Sequence, residues 1–133
     1  WVNLGAFTTN SDLKNNYGPV RVGGASGPVD TGLLKVGCFL GDHVKTGIGT
    51  LLNTGSVVGA GSNLFGGEMP PTWVPPFSWG SGGRLTEFRL DKFLEVAERA
   101  MSRREVVLDD EMTHLLTRAW ETTRSLRAGS TDG

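Results

Sequence analysis

The chain has 133 residues, enough for one domain, with a formal net charge of −1 and a pI near 6.1. That balance lacks the basic footprint of a nucleic-acid binder, and the longest apolar run is far too short to cross a bilayer, so the expectation is no nucleic acid and no membrane. No secretory leader is visible and Cys38 is the single cysteine, which fits a reduced, structural thiol in a cytoplasmic protein.

Leu4-Gly5-Ala6-Phe7-Thr8-Thr9 reads as a hexad, and a chain that starts at Trp1 in mid-pattern is expected to be part of a longer protein. The pattern is then interrupted over 10–33 by a segment rich in Asn, Gly, Pro and Ser. Tyr17-Gly18-Pro19 is a turn signal there, and Val20 and Val22 alternate with polar residues as a short strand would. An interruption of this length inside a compact repeat is more often functional than accidental.

Residues 34–69 divide without a gap into LKVGCF, LGDHVK, TGIGTL, LNTGSV, VGAGSN and LFGGEM. The first position is Leu34, Leu40, Thr46, Leu52, Val58 and Leu64. The fifth is small or β-branched until Glu68, and the fourth is glycine except at His43. A period of six is the signature of a hexapeptide coil in which each hexad forms one flat side. First and fifth positions point to one face of extended chain and should line the interior, while the fourth suits a corner with φ > 0. Three sides close a coil, so residues eighteen apart should stack: Leu34 on Leu52, Leu40 on Val58, Cys38 on Ser56. The expected fold is mainly β, a parallel β-helix over 1–69 with an inserted loop at 10–33.

Pro70-Pro71 and Pro75-Pro76, interleaved with Trp73, Phe77 and Trp79, read as an extended segment over 70–90 that covers the last coil. A C-terminal helical hairpin over 91–127 should follow. Asp91 is the expected N-cap of a helix with Phe93, Leu94, Ala97 and Met101 on one side. Asp109 or Asp110 starts the second, whose stripe is Met112, Leu115, Leu116, Ala119 and Trp120. Residues 128–133 are expected to fray.

Two places carry candidate chemistry. His43 breaks a glycine column, so its imidazole either sits on a tolerant exposed corner or has space beside it for a ligand, with Lys45 as a cation for a phosphate. His114 lies opposite its helix stripe and should face solvent. In the interruption, Asn10, Asp12 and Lys14 could hold a sugar phosphate, the ammonium on the anion and the others on hydroxyls or an amine; an ordinary polar loop with an Asx-turn is the alternative. One eligible histidine leaves a three-histidine zinc site unsupported, so no metal is expected in this chain.

Asn3-Leu4-Gly5-Ala6, Asn10-Ser11-Asp12-Leu13-Lys14, Leu40-Gly41-Asp42-His43-Val44-Lys45-Thr46-Gly47-Ile48 and Pro76-Phe77-Ser78-Trp79-Gly80 together resemble one family. It is the C-terminal left-handed β-helix of sugar-1-phosphate nucleotidylyltransferases of the bifunctional N-acetylglucosamine-1-phosphate uridylyltransferase/glucosamine-1-phosphate acetyltransferase type. The resemblance implies a left-handed coil and a homotrimer with sites between subunits. It further implies N-acetylation of glucosamine 1-phosphate, an amino-sugar phosphate, with acetyl-CoA as co-substrate in UDP-N-acetylglucosamine synthesis. Asn10 and Lys14 map onto loop residues that contact the amino sugar, with Asp12 beside them. His43, Lys45, Thr46 and Gly47 fall where acyl-CoA or phosphate contacts are expected. The family's base and its Mg-dependent nucleotidyl-transfer domain lie upstream of Trp1, which leaves His43 as the candidate base within this chain. Ser11 stands where the family has Tyr, and Ile48 where it has a serine that contacts the acyl donor. A non-catalytic scaffold that trimerises an upstream nucleotidylyltransferase is the alternative, and a binding module along 70–79 is a third.

Overall fold

The structure, a computed structural model, describes residues 1–128. The tail expected to fray lies, from residue 129 on, outside the described residues. Twelve strands precede the helices: β1 Asn3–Leu4, β2 Thr9–Asn10, β3 Arg21–Val22, β4 Val29–Asp30, β5 Phe39–Leu40, β6 Lys45–Thr46, β7 Leu51–Leu52, β8 Val57–Val58, β9 Asn63–Leu64, β10 Trp73–Val74, β11 Ser78–Ser81 and β12 Arg84–Glu87. Then come α1 Leu90–Ser102, α2 Asp110–Thr122 and the short α3 Arg124–Ala128. The architecture is a mixed α/β fold of several small sheets with a C-terminal helix cluster. One sheet has the order β1-β6-β9-β11-β12, a second β10-β8-β5, a third β2-β7, and β3-β4 is a separate hairpin.

The hexad explains why the strands are only two residues long. Every sixth residue turns a corner, so each side has room for one inward and one outward residue. Successive strands β5 to β9 visit the three sheets in rotation. β5 pairs with β8 (Phe39↔Val57) and β6 with β9 (Lys45↔Asn63), parallel and eighteen residues apart. Thr46, Leu52, Val58 and Leu64 are buried, as are the fifth-position Val44, Thr50, Ser56 and Ser62. Alternating a large with a small inward residue fills a narrow interior to native density.

Leu34 does not stack on Leu52. Asn10 does (Asn10↔Leu52), and its Nδ2 donates to the Leu52 and Asn53 carbonyls at 3.2 and 3.4 Å. Leu34 is 54% exposed, and Lys35 instead bridges Leu13 in antiparallel sense. The inserted segment thus reaches to Cys38 before the chain re-enters the repeat at Phe39. Leu40 stacks on Val58 as the spacing predicts. Past Met69 the chain does not simply cover the last coil: β10 pairs in parallel with β8, and β11 with β9, so Trp73 to Gly80 supply two further sides.

The first helix also begins earlier than Asp91. The Phe88 amide donates to the Phe77 carbonyl (2.7 Å), which ends the strand and lets Leu90 start α1. Asp91 sits in the first turn, paired with Arg89 at 2.7 Å, and caps nothing with its side chain. Asp109 caps α2 as expected, accepting from the Met112 amide at 2.8 Å. Leu115 falls outside the buried stripe, while Phe93, Ala97, Met101 and Leu116 lie inside it.

Fourth-position residues take left-handed backbone at Phe7, His43, Gly49, Gly55, Gly61, Gly67 and Phe77, with φ between 57° and 73°. A side chain there projects away from the coil. The corner made by His43, Gly61 and Phe77 is covered by α1, whose Phe93 ring stands edge-on to His43 (5.7 Å) and to Phe77 (4.9 Å). The inserted loop covers the Gly55 corner, where the Gly23 amide donates to the Gly55 carbonyl (2.9 Å). The third corner, with Phe7 and Gly49, is open.

Candidate functional site

The inserted segment builds a cavity of about 450 Å³ lined by Ser11, Leu13, Lys14, Asn15, Asn16, Asn53, Thr54 and Met69. Its chemistry follows from how the loop closes. The Leu13↔Lys35 bridge and the Val36 amide on the Asp12 carbonyl (2.9 Å) tie the loop's two ends together. The turn at 14–17, closed by the Tyr17 amide on the Lys14 carbonyl (3.0 Å), then stands over the next coil's Asn53 and Thr54. Lys14 Nζ donates to the Pro19 carbonyl at 3.0 Å, which uses one of its three protons. Amides, hydroxyls and one ammonium therefore converge on a single concavity.

Asn10 and Asp12 do not line it. The Asn10 amide is spent on the Leu52 and Asn53 carbonyls, and the Asp12 carboxylate lies 3.9 Å from Lys35. Nor does the loop share a cavity with His43 and Lys45, which stand around the five-stranded sheet. Asn10, Asp12 and Lys14 on the one hand, and His43 and Lys45 on the other, lie in two separate regions of this chain.

His43 is 4% exposed. Trp1 (ring centroids 6.3 Å) and Phe93 enclose it, so the space imagined beside it is filled by the chain's own aromatics. Its Nδ1 is buried without a hydrogen-bond partner. Burial first, then the Lys45 charge, lower its pKa to about 4, against a smaller opposing pull from Asp42. The imidazole is neutral at physiological pH but walled in, which suits packing and not proton transfer. Lys45 Nζ donates to the Trp1 and His43 carbonyls at 2.7 and 3.1 Å, and burial pushes its ammonium below the ordinary lysine value.

Thr46 and Gly47 are parts of the ladder. Thr46 Oγ1 accepts from the Gly5 amide (3.1 Å) and meets Thr8 Oγ1 (2.8 Å), and the Gly47 amide donates to the Leu64 carbonyl (2.7 Å). Their polar groups are engaged within the coil. Among the described residues no three His, Cys, Asp or Glu side chains gather as metal ligands, and no helix is long and apolar enough to cross a membrane.

Two sets of residues have no counterpart among the sequence candidates. Arg99, Arg103 and Arg104 of α1 and its end face Lys45 across a second cavity. Arg127 is 5% exposed, where it pairs with Glu87 (3.0 Å), donates to the Pro76 and Trp120 carbonyls and to Thr123 Oγ1, and locks the helix cluster to the sheet. The Arg103-Arg104 doublet was the available signal for the first; nothing local marks Arg127.

No family model matches the chain. Over 68 residues, 51% of its length, it is 33% identical to a protein of Sulfurisphaera tokodaii named a bifunctional sugar-1-phosphate nucleotidylyltransferase/acetyltransferase. The match spans 17% of that protein. The relationship is distant and partial: a likeness to a transferase that reaches half of this chain.

Proposed function

We propose that the chain is the left-handed hexapeptide β-helix of a sugar-1-phosphate nucleotidylyltransferase/acetyltransferase-like protein, working as a homotrimer in acetyl transfer from acetyl-CoA to an amino-sugar phosphate such as glucosamine 1-phosphate. The observation that carries this reading is the loop cavity, where Lys14 meets Ser11, Asn15, Asn16, Asn53 and Thr54. An ammonium among neutral amides and hydroxyls suits a ligand with one anionic group and many hydroxyls. In the reaction the sugar amine attacks the thioester carbonyl, a C–N bond forms, the C–S bond breaks, and a base takes the amine proton while the thiolate leaves. His43, enclosed and weakly basic, does not serve as that base.

Phe7 and Ile48, 85% and 75% exposed on the open corner, are the contacts we assign to a second copy. Cyclic symmetry lets three such corners close, and it would bring the loop cavity of one copy toward the Lys45 surface of another. A scaffold that only trimerises a nucleotidylyltransferase is favoured by one observation, the engagement of Thr46 and Gly47 within the ladder. The test uses the full-length protein with acetyl-CoA and glucosamine 1-phosphate, following thiol release. Lys14→Ala should raise KM for the sugar phosphate by about tenfold with Tm unchanged, the loss expected of one charge-assisted contact. An unchanged KM removes the loop site, and no thiol release from the wild type leaves the scaffold.

A further inference from the structure

We propose that the outward face of α2 pairs with the same face of a second copy of this chain. The two helices lie antiparallel about a two-fold axis beside Leu115, so that Glu111 of each copy meets Arg118 of the other. The inference goes beyond the proposed function, because this contact lies on the helix cluster and not on the open corner of Phe7 and Ile48.

α2 has two stripes. Met112, Leu116, Ala119 and Trp120 join the second core, and the Trp120 indole donates to the Phe88 carbonyl at 2.9 Å. Glu111, His114, Leu115, Arg118 and Thr122 are exposed, three or four residues apart as one helix face requires. A concavity of about 510 Å³ lies along this side, lined by Asp109, Glu111, Met112, His114, Leu115 and Arg118. All of these come from one helix and its N-cap, so the concavity has a floor and, among the described residues, no opposite wall. Leu115, near the helix midpoint, is 59% exposed. Val107, two residues before the cap, is exposed as well.

The exposed stripe is its own complement. Glu111 stands at its acidic end, and Arg118 lies seven residues, about 10 Å, further along the axis. Turning the helix end for end about a point between 114 and 115 exchanges Glu111 with Arg118 and His114 with Leu115. Two antiparallel copies therefore make two ion pairs with the leucines between them, whereas a parallel pair sets like charges together. Elsewhere on the helix cluster the charges are matched within the chain: Glu87 by Arg124 and Arg127, Glu95 by Lys92 and Arg99. Among the described residues, Glu111 and Arg118 have no opposite charge within 4.0 Å. A first-turn acid is explained in part by the amide dipoles there. Arg118 is not, since it precedes the last turn. A lone exposed leucine is ordinary. A leucine bracketed by opposite charges three and four residues away is what an isologous helix contact uses. That self-complementarity singles out a second copy as the partner.

One helix face buries less than the ~1,600 Å² of a standard interface, so the pairing should be weak, with Kd about 100 µM. The test is sedimentation equilibrium of the full chain at low salt from about 10 µM to about 1 mM, a range that brackets such a Kd. The mass should rise with concentration, and added salt should reduce the rise. Glu111→Arg and Arg118→Glu should each weaken the association by at least about tenfold, since two attractions become two repulsions. The two variants mixed in equal amounts should recover it, as should the chain carrying both changes. Leu115→Asp should abolish it. Leu115 and Arg118 are exposed, so their variants should keep the wild-type Tm. Glu111→Arg loses one first-turn acid and should lower Tm slightly. A mass that does not rise by about 1 mM overturns the proposal, whether a different protein or another segment then covers the stripe. Single reversals that leave the association unchanged overturn it too. Reversals that weaken it without recovery in the mixture overturn the antiparallel pairing. A mass that falls with Phe7→Asn and is unmoved by charge reversal counts against the stripe alone, and the converse counts against the open corner alone.

Discussion

Two corners of the same coil bear aromatic rings on left-handed backbone, and their surroundings differ. At the first, His43, Gly61 and Phe77 follow one another up the coil, and α1 lies over them. Phe93 sits between the imidazole and the Phe77 ring, and Phe77, Phe88, Phe93, Ala97 and Leu116 form a second core outside the coil. At the second corner Phe7, with φ 65°, meets open solvent, and the space around Gly49 is empty. Left-handed backbone costs a residue with a Cβ about 1–2 kcal/mol. Phe77 recovers more than that by burying its ring. Phe7 recovers nothing within this chain. A corner side chain thus acts as a peg, worth its strain only when something is laid over it.

The glycines between the pegs offer the largest break. A Cβ on Gly61 would land on the Phe77 ring, whereas one on Gly49 would touch nothing. Both have positive φ, 72° and 73°. Gly61→Ala should therefore cost about 3–4 kcal/mol, strain plus overpacking, and Gly49→Ala about 1 from strain alone. Urea unfolding of the two variants measures the difference, and equal losses would mean that α1 yields freely over Phe77.

Acid should sharpen the contrast next. His43 has its pKa lowered to about 4 in the folded chain, against 6.5 for an ordinary histidine. The unfolded chain takes up the proton first, so this contribution is fully present above pH 6.5 and is lost as pH falls from there to about 4. Over that window the covered corner should lose about 3 kcal/mol. His43→Asn, which tolerates the left-handed backbone, should flatten that limb of the stability profile. Parallel profiles for the two proteins would mean that water reaches the imidazole.

The smallest effect on folding belongs to Phe7. Phe7→Asn should change the unfolding midpoint by the equivalent of about 0.5 kcal/mol or less, since no contact is lost. Light scattering is where it should register, as a shift from the proposed trimer toward monomer. An unchanged mass would free the open corner from the role proposed for it.

The hexad phase was readable because it is a local property. Inward positions at Leu40, Leu52, Val58 and Leu64, and left-handed corners at Gly49, Gly55 and Gly61, follow from two-residue alternation and the absence of a Cβ, with no partner needed to specify them. The Asp109 cap is local in the same way. The loop's polar character was also legible, although the cavity gathers Lys14 with Asn15, Asn16, Asn53 and Thr54 and leaves out Asn10 and Asp12. Those two alternate properly along the chain, yet Asn10 is drawn into the ladder and Asp12 turns toward Lys35.

Which residue meets which is set by long-range packing. Backbone ladders accept any side chain, so Asn10 can stand beside Leu52 where periodicity placed Leu34. That choice was made by the Leu13–Lys35 bridge, which closes the insertion later than the hexads suggest. The same indifference let Trp73 to Gly80 continue the coil through a proline-rich stretch. His43 departs from its glycine column because α1, fifty residues further along, brings Phe93 over that corner. Arg103 and Arg104 face Lys45 for the same reason: α1 is long enough to run from the last coil back to the first. Sequence periodicity determines the face a residue shows, and chain closure over long separations determines what that face meets.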